Sequence, residues 1–339
     1  MASTGKQRDE IVELLHRIRD KKESASAKPT DLSGTVLANA DLQGVDLSDV
    51  DLSKADLSGA NLTGANLFRA NLKEANLHNA NLDRAEFSGA NLVEAHLEEV
   101  SAVNTGLGMA CMKGVKMFRA HLEGSTLTKA DLRDADLRCA YMRNARIRET
   151  DLAGADLTGA DLQGADMSLC NVSGAAFKDA DLREARLRLI SGYKKANWMG
   201  ADIRNVNFAG AYLMRRFIVD QNYLEEFRRG SRFSAVVYYI WWLTSDCGRS
   251  MTRWCVLIVL QMFFFAWLYT LVGVDYGAHP TFLSPLYFSV VTLTTLGFGD
   301  IVPASPAAQF IAMIEVCLGY TMLGGLLSIV SNKMARRAE

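Results

Sequence analysis

Residues 55–67 read Ala55-Asp56-Leu57-Ser58-Gly59-Ala60-Asn61-Leu62-Thr63-Gly64-Ala65-Asn66-Leu67, a run that repeats itself every five residues. A large apolar residue recurs at Leu32, Leu37, Leu42, Leu47 and Leu52 and onward to Leu187, with a small residue, usually Ala, two places before it. A strict five fits neither the helix period nor the strand period, and it excludes a heptad coiled coil. A repeat this regular predicts a solenoid, whose coils bury their apolar faces only by stacking on neighbours.

The A-[DN]-L-x-x pattern resembles the pentapeptide-repeat family. That resemblance implies a right-handed, quadrilateral parallel β-helix over residues 30–215, four pentapeptides to the coil. The Leu position and the Ala two before it would point inward and the other three residues outward. Roughly 36 pentapeptides would make about nine coils and a rod about 40 Å long at the ~4.8 Å strand spacing. Three irregularities stand out. From Val100 to Met117 the pattern degrades: Ala102 replaces the large residue, and Gly106, Gly108 and Gly114 intrude, as either a bulge with a contact site or a tolerated kink. Near Ile190 to Lys195 the frame slips by one residue and resumes as Trp198, Ile203, Phe208 and Leu213. Arg133, Arg138, Arg143 and Arg148 fall five apart and would ring one coil, as an anion site or as a salted solvent face. Before the repeat, within residues 1–29, Ile11, Leu14, Leu15 and Ile18 mark one face of a helix from Lys6 to Lys22. This helix either caps an open β-edge or contacts another subunit.

The C-terminal half has a different composition. The chain is nearly neutral overall, with a net charge of −1, yet Trp254 to Asn332 contains no Lys or Arg. This is a soluble domain fused to a membrane domain. Residues 254–274 and 306–333 are each long and apolar enough to cross a bilayer. Between them, Ser284-Pro285 reads as a helix start for a short helix over 285–294, and Ser305-Pro306 as the start of the second span. Trp267 and Tyr269 would mark the outer aromatic belt. Residues 216–252 form a linker in which Phe233 to Leu243, with Trp241 and Trp242 and flanking Arg228, Arg229, Arg232, Arg249 and Arg253, reads as a helix lying in the membrane interface. Residues 334–339 are a basic tail.

The short helix runs into Thr292-Leu293-Thr294-Thr295-Leu296-Gly297-Phe298-Gly299-Asp300. Gly297 and Gly299, two apart, permit the backbone angles that would aim successive carbonyls the same way. The stretch resembles the T-x-x-T-x-G-[YF]-G-D signature of the potassium-channel pore loop, and residues 253–333 resemble the two-helix pore module of that family. The resemblance implies an all-α membrane pore with a re-entrant pore helix, assembled as a homotetramer. Thr295, Leu296, Gly297, Phe298 and Gly299 would form the filter for permeant K⁺, and Asp300 would carry charge at the outer mouth. The pore-helix dipole would point at the cation. Gly319 aligns with the family's hinge glycine, and Gly324 and Gly325 are further bending or packing points. Glu315, ionisable within a span, is expected to face the cavity or to bond a neighbouring helix. Phe298 in place of Tyr, and Val291 where some members carry Glu, predict a thinner scaffold behind the filter.

The charge asymmetry of Arg249, Arg253, Lys333, Arg336 and Arg337 places both termini and the β-helix in the cytoplasm, and the pore in a plasma membrane, bacterial inner membrane by preference. No Arg-rich helix suggests voltage sensing. A cytoplasmic ligand or protein acting on the β-helix, through Trp241 and Trp242, is the remaining candidate for regulation. The scattered cysteines, the five histidines without metal spacing and the lack of a nucleophile motif give no sign of an enzyme, a cofactor or a transition-metal site. Near-neutral charge argues against nucleic acid. Two other readings stay open: a non-selective cation channel, and a pentapeptide protein of the DNA-mimic kind.

Overall fold

The computed structural model describes residues 2–20, 28–209, 211–248, 250–277 and 280–338. Lys22 and Arg249 lie outside them. The chain divides into two compact units, Met1–Glu225 and Glu226–Glu339.

The first unit is a β-helix held by parallel bridges that start at Asp31↔Asp51 and recur every five residues, each to the residue 20 further on. Twenty residues per coil is four pentapeptides. Each pentapeptide explains its own composition. The Asp or Asn at position one accepts the amide two residues later, as in Ser53 N to Asp51 Oδ1 at 2.9 Å, and so closes an Asx turn. Position four is left-handed throughout, at Gly59 and Gly64 but also at Asn79 and Arg84. The inward Leu and Ala are sealed: Leu62 and Ala65 are 0% exposed. Amides and carbonyls pair between coils, as in Leu52 N to Asn71 O at 2.7 Å.

The degraded stretch does not bulge. Ser101↔His121, Gly106↔Thr126 and Cys111↔Asp131 keep the 20-residue spacing. Polar residues that intrude at the buried Ala position are satisfied locally: Thr105 and Thr150 donate to the carbonyls of Leu82 and Leu127 at 2.8 and 2.7 Å. The expected frame slip is present. After Asn171↔Ser191 the bridges lengthen to 21, beginning with Ala176↔Asn197. The added residue is taken up by left-handed Gly192 and a 3₁₀ turn at Tyr193–Lys195. Trp198 then stacks on Phe177 at 4.3 Å between ring centres.

Both ends of the stack are closed by helices. The first coil leaves carbonyls unpaired. Helix α1 (Ala2–Arg19) buries Leu15 against this coil and brings His16 to Asp41 O and Arg19 to Gln43 O, while Lys28 reaches Ser48 O. The last coil leaves amides unpaired. Helix α2 (Tyr212–Gly230) buries Met214 and Ile218, and Gln221 and Asn222 accept from Trp198 N and Gly200 N. Leu213, read from the sequence as a repeat position, belongs to α2 and is exposed. The repeat therefore stops at about Asn207, and the linker expected over 216–252 is largely helical.

The second unit holds α3 (Arg232–Ser245), α4 (Met251–Leu271), α5 (Ser284–Leu293) and α6 (Pro306–Ala338). A capping box at Ser231 and Ser234 starts α3. Left-handed Asp246, Cys247 and Gly248 turn it into α4, where Ser250 accepts from Arg253 N. Helix α4 thus begins three residues earlier than expected, because this cap lies upstream of the uncharged stretch. The basic tail is not separate: α6 runs through it to Ala338. Helices α4, α5 and α6 pack on one another.

Candidate functional site

The site is built on α5. Its sequence start signal works differently from expectation. Ser284 is already helical, and its hydroxyl accepts from Thr281 N at 2.8 Å instead of capping the helix. Ser305 does cap α6, accepting from Ala308 N at 3.1 Å. At its far end α5 hands the chain to the loop through Thr295 N to Thr292 O at 3.1 Å and Leu296 N to Val291 O at 3.0 Å.

Beyond α5 the backbone alternates. Thr295, Gly297 and Gly299 have φ of 58°, 52° and 81°, whereas Leu296 and Phe298 between them do not enter that region. A β-branched residue at positive φ is strained. Alternation at a spacing of two is the pattern that permits successive carbonyls to face a common side. None of the Thr295 to Phe298 carbonyls accepts a hydrogen bond from a described residue, which leaves these oxygens available to a ligand. Asp300 is exposed just beyond, and Tyr287 of α5 donates to its carboxylate at 2.8 Å. An antiparallel pair, Asp275 with Val302, ties the loop after α4 to the segment after the filter.

Glu315 takes the second of its two expected roles, bonding neighbouring helices. It is fully buried and neither carboxylate oxygen is free for a cavity. Ser289 of α5 donates to Oε1 at 2.5 Å and Tyr269 of α4 to Oε2 at 2.6 Å. One side chain of α6 thus pins α4, α5 and α6 together. Tyr269 is accordingly an interior residue, 0% exposed, and only Trp267 of the expected belt pair is exposed. Glu315 of α6 supplies a buried carboxylate to α4 and α5, and Tyr287 of α5 supplies a hydroxyl to Asp300.

The glycines of α6 separate. A Cβ on Gly319 would strike the Leu293 backbone at the end of α5, and one on Gly325 would strike the Trp254 ring. Both permit close packing, and Trp254 also donates to Met322 O at 2.8 Å. A Cβ on Gly324 would meet nothing. Trp241 and Trp242 are exposed on α3, and the Arg253 guanidinium lies over the Trp242 ring at 5.9 Å. Sequence reasoning singled out Glu315 as an ionisable group in a span but missed Tyr287 and Ser289. A hydroxyl in an apolar helix signals a partner without saying which.

Residues 253–336 match the ion-channel family model, and segments between residues 30 and 188 match pentapeptide repeats in eight copies. Two pore potassium channel b of Oryza sativa subsp. japonica is 44% identical over 57 residues, 17% of this chain and 16% of the relative. Two-pore potassium channel 1 of Arabidopsis thaliana is 31% identical over 97 residues, 28% of this chain and 27% of the relative. The chain thus spans only a minor part of the curated relatives it matches. Among solved structures, trypsin-treated QnrB1, a plasmid-mediated fluoroquinolone resistance protein, is 20% identical over 56% of this chain and 95% of its own, with a TM-score of 0.48. The two sequence families meet in one chain: a pentapeptide-repeat domain followed by an ion-channel domain of the potassium-channel kind. Neither is an enzyme family.

Proposed function

From a chain that joins pentapeptide repeats to an ion-channel domain, we propose a homotetrameric, potassium-selective channel that passes K⁺ down its electrochemical gradient. The observation that carries this is the alternating backbone at Thr295, Gly297 and Gly299, with its row of unpartnered carbonyls. One such row cannot surround an ion. Four rows around an axis replace a hydration shell. Assembly also answers the exposed apolar surface of the pore unit. Only 17% of the apolar window of α4 and 11% of that of α6 are buried within the chain, too little for core helices of a soluble protein, so lipid and neighbouring copies take up the rest. Non-helical backbone at membrane depth is tolerated where it lines a water-filled path. The lack of Lys and Arg between Trp254 and Asn332 supports cytoplasmic termini and a cytoplasmic β-helix, with Asp300 at the outer mouth.

The test is flux through the purified protein in liposomes. K⁺ flux well above Na⁺ flux is expected, and Gly297→Ala should abolish it, because Ala resists φ near +52°. Bi-ionic reversal potentials test the second reading, a non-selective cation channel, which the missing Phe298 hydroxyl favours. Gating is proposed to run through the β-helix and α3, at Trp241 and Trp242, in response to a cytoplasmic ligand or protein. Deleting residues 30–213 should remove stimulus dependence. Unchanged tetrameric currents would reduce the β-helix to an assembly or solubility domain.

A further inference from the structure

The repeat carries a device that neutralises arginine. Where Asp stands at position one and Arg at position three of a pentapeptide, the guanidinium folds back onto the carboxylate two residues earlier. Arg133 does so on Asp131, with Nε and Nη2 at 2.7 and 2.6 Å, and Arg138 on Asp136 with the same geometry. Arg183 on Asp181 and Arg204 on Asp202 repeat it. These pairs hold all four carboxyls below their usual range through the bond from Arg. Arg143, which follows Tyr141, borrows Asp161 from the next coil at 2.5 Å. The ring of arginines read from the sequence is therefore mostly self-satisfied.

Two pentapeptides break the device. Arg148 follows Arg146 and Arg188 follows Arg186, so the position that should hold Asp holds a second cation. Both lie on one face, since Arg146 bridges to Asp166 and Asp166 to Arg186. Among the described residues Arg146, Arg148 and Arg188 have no ion pair, and Arg186 meets Asp166 only at 3.8 Å. The coil between the two arginine pairs presents short groups: Gly164, half-buried Asp166 and buried Ser168, whose hydroxyl bonds Asp166 at 2.6 Å. The result is a groove of about 660 Å³, continuous through Arg148, Asp166 and Arg186 with a second of about 530 Å³. Its arginine walls stand two coils, or about 10 Å, apart. Counting Lys129 and Glu149 on the same face, five cations oppose two carboxylates.

We propose that this groove is a binding site for a ligand carrying a short run of phosphates. Guanidinium forks match phosphate oxygens two at a time. Two forks on each wall suit an elongated polyanion better than a single compact anion, and the shared chemistry covers a free polyphosphate and a multiply phosphorylated headgroup. The site stands independently of the channel reading, because its test reads binding and not flux.

Calorimetry on the full chain in detergent micelles, with inorganic tripolyphosphate as probe, tests it. The decisive variant is R146D/R186D, which restores the device and leaves the fold its own consensus, as Asp161 already stacks on Asp181 on another face. Tripolyphosphate affinity should fall by roughly a hundredfold in R146D/R186D and stay unchanged in R133Q/R138Q. Orthophosphate should bind wild type at least about tenfold more weakly than tripolyphosphate. A second arm replaces the probe with micelles doped with a bisphosphorylated inositol lipid, and the arm lost in R146D/R186D identifies the source. Equal affinity of wild type and R146D/R186D for both probes, or equal loss in R133Q/R138Q, would overturn the proposal.

Discussion

The β-helix and the pore unit use the same backbone device to opposite ends. Both place residues in the left-handed region at a fixed interval. In the β-helix the interval is five, and each such residue turns the chain, so that amides at positions one, two and four pair with carbonyls one coil away while those at three and five are satisfied within the pentapeptide. After α5 the interval is two, and the turns cancel. The carbonyls of Thr295 to Phe298 are left without a donor among the described residues. The β-helix is closed within a single chain: Leu and Ala fill its interior, α1 supplies donors to the carbonyl end and α2 supplies acceptors to the amide end. The second unit is left open, with exposed apolar helix faces and, at Thr295 to Phe298, carbonyls without a donor among the described residues. A closed unit derives its stability from itself, whereas on the proposed reading the open one completes its contacts with lipid, further copies and permeant ions.

Substitutions can break that contrast, beginning inside the stack. Leu62→Asp should destabilise the β-helix by more than about 4 kcal/mol, because a charge would be buried without a partner, while Thr63→Asp should stay within about 0.5 kcal/mol. Chemical denaturation followed by circular dichroism separates the two. In the pore unit, Gly319→Ala should lower stability by about 1–3 kcal/mol through overpacking against Leu293 and depress flux. Gly324→Ala, which meets nothing, should leave thermal stability unchanged.

Glu315→Ala should cost about 1–3 kcal/mol for each stranded hydroxyl, of Ser289 and Tyr269. Glu315→Gln, which keeps one oxygen and gains a donor, should cost less and change filter inactivation more than conductance. Equal effects of the two changes on thermal stability would mean that the clamp does not hold the three helices. The smallest effect is expected at Phe298→Tyr, a severalfold gain in K⁺ over Na⁺ or slower inactivation, about 1 kcal/mol of hydrogen bonding. Unchanged currents would show that Tyr287 and Glu315 already do the work of the missing hydroxyl.

The legibility of the sequence followed the range of the interactions. The β-helix was readable residue by residue because its contacts repeat at 20 residues. A local pattern therefore reports a non-local contact, and even the slip to 21 appears in the frame of Trp198. The alternating backbone after α5 was readable because Gly297 and Gly299 themselves permit it. Helix α2 was not readable. Its polar surface looked like a linker, and its Gln221 and Asn222 acquire meaning only against the exposed amides of Trp198 and Gly200. The arginine ring was readable only in part for a related reason: spacing along the chain allowed a salted face or an anion site, and only the coil geometry showed which guanidiniums had carboxylates within reach.

By itself the sequence determined the two architectures, the left-handed alternation after α5 and the helices α4, α5 and α6 to within a few residues. Periodicity, hydropathy and glycine placement act on neighbouring residues and are written in order. The tertiary structure alone decided the role of Glu315, the division of the α6 glycines between packing and open space, and the unpaired arginine groove at Arg146, Arg148, Arg186 and Arg188. Each depends on which side chain from a distant segment comes within about 3–4 Å, the range of hydrogen bonds and close packing. No single segment of the sequence carries that information.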